Sequence, residues 1–165
     1  MLELRTRPVA EAGFARLCTF AQSAEELFFL FPTASFPLTP AQLARAVAAR
    51  ADSTVVEGGG QVLAFANFYQ WQVDGACAIG NVMVAPDYRG NGVGRALIDA
   101  MIMTALSKYR AREVRVSCFN RNTAALLFYA RLGFLPCGIE PRLDGQGLPV
   151  ALLHLRRAVE HPCGQ

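Results

Sequence analysis

Three glycines at alternate positions, Gly90, Gly92 and Gly94, stand between Arg89 and Arg95, behind the apolar run Ala78-Ile79-Gly80-Asn81-Val82-Met83-Val84 and the turn Ala85-Pro86-Asp87-Tyr88. Glycines so spaced let the backbone curl tightly and leave its N–H groups uncovered. From Val93 onward Leu97, Ile98, Met101, Ile102 and Ala105 recur at helical spacing, so a helix starts inside the loop and adds the positive end of its dipole. The chemistry on offer is an anion cradle for phosphate or pyrophosphate, since amide donors and a helix terminus converge on one charge without any particular side chain. A dinucleotide fingerprint would space its glycines G-x-G-x-x-G, and a nucleotide P-loop would continue with Lys-Ser/Thr. This loop does neither.

Further along, Asn122, Ala125, Phe128, Tyr129, Gly133 and Phe134 follow the pattern Asn-x-x-Ala-x-x-Phe-Tyr, three residues, Gly-Phe. With Arg89, Gly92 and Gly94 behind Val84-Ala85-Pro86, this pair of motifs resembles the GNAT superfamily of N-acetyltransferases over roughly residues 53–156. The resemblance implies an α/β fold, in detail an α+β mixed sheet flanked by helices, in which the strand before the loop and the strand after its helix are parallel and splay apart to hold acyl-CoA. It implies that Arg89, Gly90, Asn91, Gly92, Val93, Gly94 and Arg95 bind the CoA pyrophosphate, and that Val82, Met83 and Val84 pair with the pantetheine arm. Asn122 would touch the same arm, although its position alone makes it a helix N-cap. The donor would be acetyl-CoA, without a metal, and the acceptor a small-molecule amine or a peptide N-terminus that attacks the thioester directly.

Tyr129 is then the expected donor to the leaving thiolate; a phenol of pKa about 10 can serve a thiolate of similar basicity if it is well placed. Many relatives carry a glutamate in the loop-side strand to take the amine proton, whereas the matching positions here are Gly80 and Asn81. Glu25 is the candidate substitute, because Glu26 is expected to close a capping box with Ser23. His154, on an apolar strand, reads as a core histidine. An acyl-CoA sensor or interaction module of the same fold, without turnover, is the alternative to an enzyme.

Bulk properties agree with this reading. A chain of 165 residues suits one domain, 1–165, with a sizeable core. Apolar residues reach 53% and charged residues only 18%, so more apolar surface than usual needs cover, for which a homodimer is one solution. A net charge of +3 is too mild to suggest nucleic acid. Arg89, Arg95, Lys108, Arg110, Arg112 and Arg115 read as a basic cluster near the loop, better suited to a CoA-sized polyanion. Five cysteines without a C-x-x-C pair and only two histidines give no zinc pattern. No leader-like apolar region or membrane-length run is seen, and the expectation is a cytoplasmic protein.

The remaining sequence supplies the frame. Leu2 to Thr6 alternates as an edge strand, and a helix should run on to about Phe20. Ser23 and Thr39 are caps for two further helices, with Pro40 at a first helical position. Phe28, Phe29, Phe31 and Phe36 are expected to pack in the core, with the wall of an acceptor pocket as the alternative. Strands are expected at Ser53–Val56, Gln61–Trp71, around Val114 and Val116, at Phe134–Ile139 and at Leu148–Leu155, the first of them forming an antiparallel meander into the strand before the loop. Residues 160–165 read as a frayed tail.

Overall fold

The computed structural model describes residues 2–160, so His161, Cys163 and all but the first residue of the expected tail lie outside it. The chain runs β1 (Leu4–Pro8), α1 (Phe14–Leu17), α2 (Ala24–Leu30), α3 (Pro40–Ala49), β2 (Ala51–Gly58), β3 (Gln61–Trp71), β4 (Ala76–Val84), α4 (Val93–Tyr109), β5 (Glu113–Phe119), α5 (Thr123–Arg131), β6 (Leu135–Leu143) and β7 (Pro149–Ala158). The strands form one seven-stranded mixed sheet in the order β1-β2-β3-β4-β5-β7-β6. The only parallel pair among the described residues is β4 with β5, joined by α4 in a crossover.

Side chains that alternate across the pleat feed two apolar clusters. Val56, Ala64, Ala66 and Phe68 join Leu97, Ile98 and Met101 of α4. Val55, Val62, Phe65 and Met83 pack instead with Leu17, Leu27 and Leu43 of the first three helices. Phe31 enters this second cluster as expected, whereas Phe36 is exposed and Phe29 faces a cavity. No described helix is long and apolar enough to cross a membrane.

The splay between β4 and β5 is visible in the register. The pair is matched from Ala76↔Glu113 to Ile79↔Val116 and no further. Beyond that point β5 follows β7 as far as Phe119↔Leu152, while β4 follows β3 as far as Val84↔Ala64. The separation begins where β4 bulges. Its register with β3 shifts between Gly80 and Met83, leaving Asn81 and Val82 without a β3 partner, and Asn81 takes a left-handed φ of 48°.

Three expectations are corrected here. The first helix is short, a 3-10 turn at Glu11–Gly13 and then Phe14–Leu17, because Thr19 Oγ1 donates to Arg16 O at 2.6 Å and the last turn tightens. The basic cluster does not form. Helix α4 has 17 residues, about 25 Å, and puts Lys108, Arg110, Arg112 and Arg115 at the end away from the loop. There Lys108 pairs with Asp52, Arg110 with Asp74 and Arg115 with Glu113. Finally, β6 and β7 extend beyond their expected spans because each continues the other's ladder across the Asp144 turn, where Asp144 Oδ1 accepts from the Gln146 and Leu148 N–H groups.

Candidate active site

A cavity of about 710 Å³ runs through the wedge between β4 and β5, from the start of α4 to the outer strands β6 and β7. At one end is the glycine loop. Gly90 and Gly92 adopt φ of 77° and 82° with open space where a Cβ would stand, so backbone conformation is what requires glycine there. Gly94 differs: a Cβ would lie 3.2 Å from Phe128 Cζ and 3.6 Å from Val84 Cγ2. Side chains cap α2, α3 and α5, through Ser23, Thr39 and Asn122, but no side chain caps α4. Its first N–H groups are left for a ligand.

The expected loop residues divide. Gly90, Gly92, Gly94 and Arg95 line the cavity. Val93 is in the core, and Asn91 Nδ2 donates to Arg89 O at 3.3 Å, so these two shape the loop. Arg89 lines the cavity with its charge already spent: it donates to Val84 O and Phe20 O, each at 3.2 Å, and forms an ion pair with Glu26. Glu26 therefore does not close the expected capping box; Ser23 Oγ accepts from its N–H, but its carboxylate reaches across to the loop. Arg131, at the end of α5, also lines the cavity and was not foreseen.

In the wedge, Val82 and Val84 face the cavity while Met83 turns into the opposite core. The bulge that opens the wedge is held by a polar chain. Arg50 Nη1 donates to Asn67 Oδ1 at 3.2 Å, Asn67 Nδ2 to Asn81 Oδ1 at 3.0 Å, and Asn81 Nδ2 to Leu30 O at 3.1 Å. Asn67 and Asn81 are the buried polar side chains of the described residues, and each is satisfied. Asn81 thus fixes α2 to the bulge.

Tyr129 is buried on the far wall of the wedge, edge-on to Phe134 with ring centroids 5.8 Å apart. Burial raises its pKa, and the neighbouring Cys118 and Tyr69 act in the same direction, so it stays a neutral donor. Cys118 lines the cavity too, its thiol pushed up to about 11 by burial, which makes it a poor nucleophile. Asn122 faces the cavity while its Oδ1 accepts from Ala125 N–H at 3.4 Å, so the capping role is present in the structure.

At the other end the structure departs from expectation. Glu25 is exposed on α2 and outside the cavity wall. His154 is no core histidine. Its side chain is 36% exposed, its Nε2 lies 3.1 Å from Glu140 Oε2, and its Nδ1 lies 2.8 Å from Ser117 Oγ, which is 3.1 Å from Tyr69 Oη. Arg142, paired with Glu140 at 3.0 Å, is the largest influence holding the Glu140 carboxyl below its usual range; His154 follows. An ionised Glu140 can only accept, so His154 Nε2 donates to it, and in a neutral ring Nδ1 is then left to accept from Ser117. The chain Tyr69–Ser117–His154–Glu140 is thereby polarised away from the cavity. Phe29 and Phe119 add an apolar wall.

Comparison with known proteins places this arrangement. The family model described as the acetyltransferase (GNAT) family matches residues 18–134, well over half of the chain. The chain belongs to the GNAT acetyltransferase family. Among solved structures, a ribosomal-protein-alanine N-acetyltransferase from Brucella melitensis superposes with a TM-score of 0.76 at 21% identity, covering 94% of this chain and 99% of that one. The ribosomal-protein-S18-alanine N-acetyltransferase of Escherichia coli gives 0.73 at 20% identity, over 97% and 96% of the two chains. A candidate acetyltransferase from Salmonella typhimurium, solved with its cofactor acetyl-CoA, gives 0.72 at 17% identity, over 98% and 96%. At these identities the likeness is one of fold. No curated protein sequence matches.

Proposed function

We propose that the protein transfers the acetyl group of acetyl-CoA to a primary amine by direct attack in a ternary complex. The observation that carries this is the wedge between β4 and β5 opening, within one cavity, onto the uncapped start of α4. The N–H groups of Gly92 to Arg95 would hold the pyrophosphate, with Arg95 and Arg131 as added cations. The pantetheine arm would lie along Val82 to Val84, beside Asn122, and bring the thioester to the bulge. A backbone donor at Val82 or Met83 would meet the carbonyl oxygen as charge develops there.

Tyr129 would then face the departing sulfur as a hydrogen-bond donor. Its raised pKa makes full proton transfer to a thiolate uphill, so its contribution is stabilisation of the leaving group in place. The amine proton would leave at the opposite end, through Tyr69 and Ser117 to His154, with Glu140 fixing the tautomer; Glu25 is too far out on α2 for that role. Amine availability favours α-amines. At pH 7 an α-amine of pKa near 8 is roughly 10% neutral, whereas a lysine side chain near 10.4 is only about 0.04% neutral. This reading therefore takes a free α-amine, in a small molecule or a peptide, as the acceptor.

The test is release of free thiol from acetyl-CoA with and without a mixture of amines, beside calorimetric binding of acetyl-CoA. Amine-dependent release is expected, and Gly94→Val should abolish binding with an unchanged circular dichroism spectrum, because its branched side chain fills the space over Phe128 and Val84 at the loop. Binding by Gly94→Val equal to that of the parent would remove the loop assignment. Binding without any amine-dependent release would make the protein a sensor.

A further inference from the structure

Most charges around the cavity are answered by a neighbour. Glu26 is paired with Arg89, and Arg142 with Glu140. Arg50, where α3 passes into β2, is different. It is half-buried in the cavity wall, and its contacts within the described residues are with neutral groups: Asn67 Oδ1 at 3.2 Å and the face of Tyr69, 5.6 Å from ring centroid to guanidinium carbon. One of five N–H donors is used on the protein. Burial lowers its pKa, the sign of a cation that has lost water without gaining a carboxylate, although an arginine remains charged.

The backbone has been cleared to admit it. A Cβ on Gly80 would lie 2.7 Å from Arg50 Nη1 and 2.7 Å from Tyr69 Cδ1, so the guanidinium and the tyrosine ring rest on bare strand at the mouth of the wedge. This is not the phosphate end. Gly80 and Val84 stand four residues apart along β4, at most about 13 Å, and the loop lies farther still. A desolvated guanidinium with free parallel donors is suited to a carboxylate. Tyr69, on which Arg50 stacks, also begins the hydrogen-bonded chain to His154.

We propose that the acceptor is a free α-amino acid, held by its carboxylate on Arg50 with its amine set against Tyr69 and the Ser117–His154–Glu140 chain. This rests on the N-acetyltransferase reading and names the acceptor class for it. Arg50 then acts twice: it binds the carboxylate, and by neutralising it removes the negative charge that would otherwise favour the ammonium form of the adjacent amine. A peptide whose carboxyl terminus is remote offers nothing to Arg50.

The experiment separates the two readings by using CoA, which carries no acyl group. The proteinogenic L-amino acids and their α-amides are titrated by calorimetry into the full chain saturated with CoA, so no turnover is needed. At least one amino acid is expected to bind about 10- to 100-fold more tightly than its amide. Arg50→Met should reduce that ratio to near unity, read at CoA concentrations that saturate each variant, and Arg50→Gln serves if Arg50→Met is poorly folded. The same acid-over-amide preference is expected in kcat/KM with acetyl-CoA, against intrinsic reactivity, since the amide has the less basic amine. Equal binding of acid and amide, no binding of any amino acid, or a preference that survives loss of Arg50 would overturn the proposal. So would a preference for a donor such as succinyl-CoA that depends on Arg50, because the guanidinium would then read the acyl group. Absence of thiol release with every acceptor, beside intact acid-selective binding, would instead remove the transferase reading and leave the carboxylate site standing.

Discussion

Replacement of Asn81 tests whether the bulge is what opens the wedge. The side chain accepts from Asn67 Nδ2 and donates to Leu30 O, and it sits at a φ of 48° with 5% exposure. Asn81→Ala orphans two groups, each at a cost of about 1–3 kcal/mol, and adds about 1–2 kcal/mol for a left-handed alanine, a total of roughly 3–8 kcal/mol. Asn81→Gly loses the same hydrogen bonds without the backbone cost, roughly 2–6 kcal/mol. Alanine should therefore be the worse substitution by about 1–2 kcal/mol, or about 2–8 °C in Tm for a chain of this size. Both variants cut the tie between α2 and β4, so acetyl-CoA affinity should fall in both. The assays are urea unfolding and calorimetry on the folded fraction. If Asn81→Ala costs under about 1 kcal/mol, or is no worse than Asn81→Gly, the bulge is not held by this residue. If stability falls while affinity for acetyl-CoA does not, the wedge does not depend on it.

Tyr129→Phe keeps the ring against Phe134 and removes only the hydroxyl, so acetyl-CoA binding should persist while kcat falls about 10²- to 10³-fold, the loss typical of one hydrogen-bond donor to a developing anion; unchanged kcat under chemistry-limited conditions would assign Tyr129 to packing. Stability should fall in alkali. Cys118 is raised from 9.0 to about 11 when folded, so its contribution is complete below pH 9 and is lost as pH rises toward 11, about 3 kcal/mol in all. Urea midpoints at pH 8 and 11 should differ less in Cys118→Ala than in the parent, and equal differences would refute the burial argument. On the edge strand β6, Ile139 and Leu143 share one face and are 72% and 64% exposed, a stripe that a second copy would cover. Light scattering should report a dimer that Ile139→Lys returns to monomer, whereas a monomeric parent would dispose of this interface.

The proposed donor half of the candidate site has instructions that are local. Glycines two residues apart, the helix that starts among them, and Asn122 and Tyr129 on one short helix lie within stretches that a single motif spans. What the pattern could not say is which member faces the ligand. Arg89 matches the motif but is consumed by Glu26 and two carbonyls, and Val93 and Met83 point inward because pleat and helix period decide direction. The capping-box spacing of Ser23 and Glu26 misled for a similar reason. A local rule fixed the backbone, and a distant arginine took the side chain.

The acceptor half could not be read in the same way, since Arg50, Tyr69, Ser117, Glu140 and His154 come from five separate strands or their edges. Strand order creates the group. Because β7 is inserted between β5 and β6, His154 stands opposite Ser117 on one side and Gly138 on the other, with Glu140 two residues along on the same face as Gly138. A slip of one residue in either ladder would turn His154 or its partners to the opposite face of the sheet, so the hydrogen-bonded chain is a consequence of register rather than of any motif. Gly80 belongs to the same logic. Read along the chain, it is a position lacking a carboxylate; seen across the sheet, it is the space that lets Arg50 and Tyr69 reach the wedge. On the proposed reading, the position where the family resemblance leads one to expect a base is the one over which Arg50 and Tyr69 rest, and the proton-accepting groups stand on the strands across the cavity.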